Sequence, residues 1–156
     1  MLLCKNRTHN NGELTNEEVF YNHFKSFHKD NTDTLLKKYE EYYNSDFIIT
    51  KESTSLKKVA PLLIKELKEK GYNLILATNP IFPRIATLNR IKWAGLDPND
   101  FMYISTYENS SYCKPNIKYY EEIINKLNEY EKRIKKKLIH PSCYHYHFQF
   151  CNCRAW

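Results

Sequence analysis

Glycine is scarce in this chain, with only Gly12, Gly71 and Gly95 among 156 residues. Three such isolated positions cannot form a GxGxxG or a GxxxxGK[ST] loop, which excludes both glycine-rich ways of cradling a nucleotide phosphate. Long apolar runs are also lacking. None reaches the 18 residues expected of a membrane-spanning helix, so no membrane partner is expected. The opening residues Met1-Leu2-Leu3-Cys4-Lys5-Asn6 hold no apolar stretch of signal-peptide length. The first 131 residues contain only Cys4 and Cys113, too few for a disulfide framework, and a cytoplasmic location is the expectation. Acid is missing altogether from the last 25 residues. Residues 1–131 carry 18 basic and 18 acidic side chains and are neutral, so the whole net charge of +6 comes from Lys132, Arg133, Lys135, Lys136, Lys137 and Arg154. A basic total invites a nucleic-acid reading. Six charges in one tail, without a scaffold to order them, give only salt-sensitive, non-specific binding, and a nucleic-acid partner is not expected.

What is present suits a folded domain, with 42% apolar and 27% charged residues. Thr15-Asn16-Glu17-Glu18 is a capping box. It predicts a helix through about Phe27 with Val19, Phe20, His23, Phe24 and Phe27 near one face. His23 and Phe24 read either as packing or as the wall of a cleft. After the polar turn Lys29-Asp30-Asn31-Thr32, Leu35, Leu36, Tyr39, Tyr42 and Tyr43 predict a second helix from Thr34 to Tyr43.

From residue 55 helix and strand alternate. Ser55 is the expected cap of a helix carrying Leu56, Val59, Leu63 and Leu67, and Gly71 suits the left-handed position after its end. Tyr72–Thr78 reads as a buried parallel strand. Residues 81–94 read as a helix, and Phe101–Ser105 as a second strand. A helix opened by Pro115 is expected to run to about Tyr130 with Ile117, Tyr120, Ile123, Ile124 and Leu127 inward. This α-β-α-β-α order predicts an α/β layer, in which ligands lie beyond the carboxyl ends of the strands. Thr78 and Asn79 fall at one such end, and Lys114 precedes the last helix. A hydroxyl, an ammonium and a helix N-terminus make a candidate phosphate site. A turn residue beside a solvated lysine is the plainer alternative. Asn79 and Arg84 read either as substrate contacts or as capping and solvated residues. Cys113, beside Lys114, reads as a buried thiol or as one with a lowered pKa.

The string Ala77-Thr78-Asn79-Pro80-Ile81-Phe82-Pro83, Lys114 placed 36 positions after Thr78 within Tyr112-Cys113-Lys114-Pro115-Asn116, and Thr106-Tyr107-Glu108-Asn109-Ser110 together resemble the haloacid-dehalogenase (HAD) superfamily of hydrolases. The resemblance spans roughly residues 10–130. It implies a partial Rossmann-like HAD core, with parallel strands and flanking helices over 55–131, preceded by a small helical cap over 1–54. It also implies Mg2+-dependent phosphoryl transfer from a small phosphorylated substrate through an aspartyl-phosphate. By the same resemblance Thr78 hydrogen-bonds the phosphoryl group and Lys114 offsets its charge, while Asn79, just past the strand end, is the candidate substrate contact. The family's nucleophilic DxD after a first strand has no counterpart, since no Asp precedes Asp30 and Asp30-Asn31-Thr32-Asp33 has the wrong spacing. A late acidic motif is missing too, since no Asp or Glu follows Glu131. The expectation is therefore a truncated, internal piece of such a hydrolase, inactive as a phosphatase, with no metal ligands and with Mg2+ not bound by this chain. Loss of the central strand would leave a sheet edge open to self-association.

Residues 132–156 depart from that pattern. His140, Cys143, His145, His147, Cys151 and Cys153 are zinc-ligand types, but they include one Cys-x-Cys and no Cys-x2-Cys pair. Out-of-frame translation would give the same mixture. The alternative expectation is a non-catalytic module that uses this tail to bind zinc or nucleic acid.

Overall fold

The computed structural model describes residues 10–28 and 31–134. Cys4, Lys29, Asp30 and the Cys/His set of the tail lie outside the described residues. The elements follow in the order α1 (Asn16–Phe27), α2 (Thr32–Asn44), a 3-10 segment (Asp46–Ser53), α3 (Val59–Glu69), β1 (Leu74–Leu76), α4 (Arg84–Trp93), β2 (Phe101–Ile104) and α5 (Ile117–Ile134). Two 3-10 turns, Pro98–Asp100 and Tyr107–Asn109, flank β2. The α-β-α-β-α order is as the sequence predicts. The described residues are mostly helical, around one two-stranded sheet.

Several boundaries differ from the sequence expectation, and prolines explain two of them. Ser55 caps nothing, since α3 starts at Val59 after Lys58. A start beside Ser55 would bury Pro61 in the helix interior, where its missing N–H breaks an intrahelical bond. Starting at Val59 places it in the first turn, where no donor is needed. Likewise α4 starts at Arg84 rather than residue 81, because Phe82 precedes Pro83 and is driven out of the helical region. The last helix opens at Ile117, where Asn116 Oδ1 accepts the Lys118 N–H at 3.0 Å. The Lys114–Pro115 peptide just before it is cis. The helix continues past Tyr130 into the expected tail, to Ile134.

Both interior helices end in the same way. At the end of α3 the N–H of Gly71 bonds Lys68 O and that of Tyr72 bonds Leu67 O, with Gly71 at φ +79°. Past α4 the same pair runs from Gly95 to Lys92 O and from Leu96 to Ile91 O. These are Schellman closures, and each needs a residue that tolerates the left-handed region.

The sheet is parallel, with Leu74 opposite Phe101, Ile75 opposite Tyr103 and Leu76 opposite Ile104. The irregularity between the first two pairs leaves Met102 as an extra residue. In consequence Met102 and Tyr103 both pack toward α5, while Phe101 and Ile104 pack the other way. One face of the sheet holds an aliphatic core of Ala60, Ile64, Leu76, Ile91, Leu96 and Ile104, contributed by α3, both strands and α4 with the turn after it. The other face meets Tyr119, Ile123 and Leu127 of α5, packed with Ile75, Ala77, Met102 and Tyr103. Ile117, expected inward, is 71% exposed, because the apolar stripe of α5 runs through Tyr119 instead. The regular part of β1 is only Leu74–Leu76, and within it Leu76 alone is fully buried.

The helices at the N-terminal end attach differently. The capping box forms as expected, with the Glu18 N–H on Thr15 Oγ1 (3.2 Å) and the Thr15 N–H on Glu18 Oε2 (2.7 Å). Neither α1 nor α2 buries any residue fully, and His23 and Phe27 of the expected apolar face are exposed. Phe24 is half-buried, its ring 5.6 Å from that of Phe20. Phe20 reaches Tyr39 of α2 (4.9 Å between ring centroids) and Tyr107 of the turn after β2 (6.4 Å). Phe47 of the unforeseen 3-10 segment stacks on Trp93 at 5.2 Å and joins the end of α2 to α4. Burial raises the hydroxyl pKa values of Tyr21, Tyr39, Tyr43 and Tyr107 in this seam. It also raises that of Glu17, with the neighbouring Glu108 carboxylate as the next cause.

Candidate functional site

The groups singled out in the sequence converge at the C-terminal end of β1. Within a parallel strand, successive carbonyls point to opposite edges. Leu76 O points to β2 and accepts the Ser105 N–H at 3.0 Å. Ala77 O therefore points to the open edge, and there it accepts from Lys114 Nζ at 2.7 Å. Lys114 and Thr78, distant in sequence, thus engage opposite sides of one peptide, Lys114 at the Ala77 carbonyl and Thr78 through its own N–H.

Thr78 itself is held on every polar group. Its N–H donates to Ser105 Oγ (2.8 Å) and its hydroxyl donates to Ser105 O (2.8 Å). Its carbonyl accepts from the Tyr119 hydroxyl and lies 3.1 Å from Ser105 Oγ. Ser105 and Tyr119 are fully buried, and their hydroxyls lie 2.8 Å apart. Burial pushes the Tyr119 hydroxyl well above its ordinary pKa, which keeps it a neutral donor and acceptor at physiological pH. Sequence reasoning missed both residues. Ser105 had a usable signal, since it ends β2 as Thr78 ends β1. Tyr119 had none beyond its place in an apolar helix.

Lys114 is half-buried, and desolvation lowers its pKa below that of an ordinary lysine. Its ammonium lies 5.9 Å from the centre of the Tyr119 ring. Among the described residues it forms no ion pair, and the Ala77 carbonyl is its one hydrogen-bond acceptor. Asn79 follows Thr78, and its Oδ1 is buried without a hydrogen-bond partner among the described residues. Arg84 is exposed; its backbone N–H, at the start of α4, is capped by Glu108 Oε1 at 2.6 Å. Cys113 is buried, with the Asn16 side-chain amide 3.6 Å from its sulfur.

The loop before Lys114 is fixed from α5. Both oxygens of Glu122 accept the Ser111 N–H, at 3.1 and 3.0 Å, and one of them lies 3.4 Å from the Tyr112 nitrogen. Lys126 bonds Glu122 and the Asn109 carbonyl. The Thr106–Ser110 string folds back on itself, with Asn109 accepting the Thr106 N–H and donating to Ile104 O.

This arrangement can attract an anion: one ammonium, no carboxylate bonded to it, and buried polar groups beside it. Among the described residues no three His, Cys, Asp or Glu side chains are grouped to hold a metal ion. No helix among them is long and apolar enough to cross a membrane. No family model, curated protein or solved structure matches this chain.

Proposed function

We propose that the end of β1 is a phosphate-binding site of the HAD type, built on a partial Rossmann-like core, and that the chain takes a small phosphorylated molecule there. The observation that carries this reading is Lys114: a half-buried cation whose hydrogen-bond partner among the described residues is a neutral carbonyl. A desolvated ammonium without a counter-charge gains from an anion more than an exposed, ion-paired lysine does. Thr78 now gives its hydrogen to Ser105 O, so an anion competes with that carbonyl for it.

In this reading the chain binds phosphate but does not hydrolyse phosphomonoesters. A carboxylate nucleophile would have to stand within reach of the phosphoryl group that Lys114 holds. Among the described residues no acidic side chain perturbs the Lys114 ammonium.

Titration with inorganic phosphate at pH 7 and low salt tests the site. Binding that Lys114→Ala weakens by about tenfold or more is expected, the scale of one lost charge-assisted bond. The same affinity in both proteins overturns the site. Binding should also fade as pH rises through the lowered Lys114 pKa, before the ordinary lysine range is reached, because only the ammonium attracts the anion. A p-nitrophenyl phosphate assay with Mg2+ should give no Lys114-dependent turnover. Turnover abolished by Lys114→Ala would overturn the binding-only reading.

A further inference from the structure

Asn16 opens α1, yet its bonds run mainly to the loops around the candidate site. Its backbone N–H donates to Ser110 O at 2.9 Å. Its side-chain amide donates to Pro80 O at 3.2 Å and lies 3.5 Å from Tyr112 O and 3.6 Å from Cys113 Sγ. Asn10 Nδ2 donates to Asn16 Oδ1 at 3.2 Å, which turns the Asn16 NH2 group toward those loops. One carboxamide thus joins the segment after β1 to the segment before α5, 64 and 96 residues away in sequence.

These two segments carry the polar groups of the site. Pro80 immediately follows Asn79, and Cys113 immediately precedes Lys114. Both groups lie outside the regular strands, so strand pairing does not set their separation. Glu122 fixes only the second segment, and the Tyr112 hydroxyl ties it to Asn11 O at 2.9 Å. Lys114 on Ala77 O and Glu108 on the Arg84 N–H also span the two segments, and Asn16 is the tie that comes from the N-terminal helix.

We propose that Asn16 is a positioning residue for the Lys114 anion site, so that docking of the N-terminal segment and binding of the anion reinforce one another. This role rests on the anion reading above. The physical basis is population. With the two loops untied, only a fraction of molecules hold Asn79 and Lys114 at the binding separation, and apparent affinity falls by that fraction. By linkage, a bound anion must in turn stabilise the docked segment.

The test uses the full chain and inorganic phosphate, with wild type compared to Asn16→Ala, Asn16→Asp and Lys114→Ala. Asn16→Ala should weaken phosphate by about five- to tenfold, the lower part of the usual range for coupled sites. Asn16→Asp keeps the size but loses the donor, and a carboxylate at the start of a helix favours α1. A matching loss in both variants therefore assigns the effect to the tie between loops, not to a frayed helix or to added charge. In the reciprocal measurement, phosphate should slow amide exchange at Asn16 and Glu18 in wild type and leave it unchanged in Lys114→Ala. Wild-type affinity in Asn16→Ala overturns the proposal. If wild type itself binds no phosphate, the anion reading falls, and the Lys114 ammonium, followed by 15N NMR across pH, still decides the positioning role. Asn16→Ala should then return Lys114 toward the ordinary lysine pKa as water enters, and an unchanged titration overturns the role.

Discussion

The two ends of this molecule are held by different chemistry. The sheet and its helices close over aliphatic side chains, with Ala60, Ile64, Leu76, Ile91, Leu96 and Ile104 in one buried group. The helices α1 and α2 bury no residue fully, and meet the rest through the hydrogen bonds of Asn16 and through rings that carry hydroxyls or lie beside carboxylates. Aliphatic packing is indifferent to pH and falls off steeply when atoms are removed. The aromatic seam has less depth and more polar groups, and Glu17 beside it makes part of its strength follow pH. The contrast teaches that the N-terminal helices are an attachment to the core, and that their docking can change while the core stays intact.

The sharpest way to break this contrast is to damage each side in turn. Ile91→Ala removes a core side chain that is 4% exposed and should cost about 2–5 kcal/mol by chemical denaturation, with all elements unfolding together. Phe20→Ala should cost less, about 1–3 kcal/mol, since its ring is half-buried among Tyr21, Phe24, Tyr39 and Tyr107. Its effect should be local, with faster amide exchange in α1 and α2 and unchanged protection in β1, β2 and α5. Uniform acceleration throughout the chain would erase the distinction.

The smallest effect comes from Glu17. Its folded pKa is raised above 4.5, so the unfolded chain ionises first. Stability from this group is complete at low pH, and declines as pH climbs from about 4.5 through the raised folded value. Glu17→Gln should abolish that decline, giving a gain of less than about 1 kcal/mol at pH 7 and none at pH 4 or below, because solvent screens a partly exposed carboxylate. Equilibrium unfolding at both pH values checks it.

Local signals were legible in the sequence. Thr15 and Glu18 cap α1, Gly71 closes α3, and the order of helices and strands is as the periodicity implies. Prolines misled where their exclusion from helix interiors was given too little weight, as at Pro61 and Pro83. The spacing of apolar residues in α5 could not tell Ile117 from Tyr119 as the first inward position, because the Asn116 cap sets the helix's start. At the site, Thr78 and Lys114 could be named from their places at a strand end and a helix start together with the family resemblance. Of the groups that hold them, Ser105 had a signal, its place at the end of the other strand as Thr78 ends β1. Tyr119 acts from the last helix and Asn16 from the other end of the chain, and neither separation leaves a local pattern.

The bond from Lys114 to Ala77 O has a consequence for assembly. The carbonyl faces the edge of β1 that has no neighbouring strand among the described residues, and it is the acceptor an incoming strand would need. An ammonium seated there is an edge guard: a charged side chain that makes backbone pairing expensive where a bare edge would invite it. A second chain adding to β1 would have to displace Lys114 from Ala77, and an anion that draws Lys114 away would do the same work for it. The charged residue of the proposed site thus also occupies the Ala77 acceptor that such a strand would use.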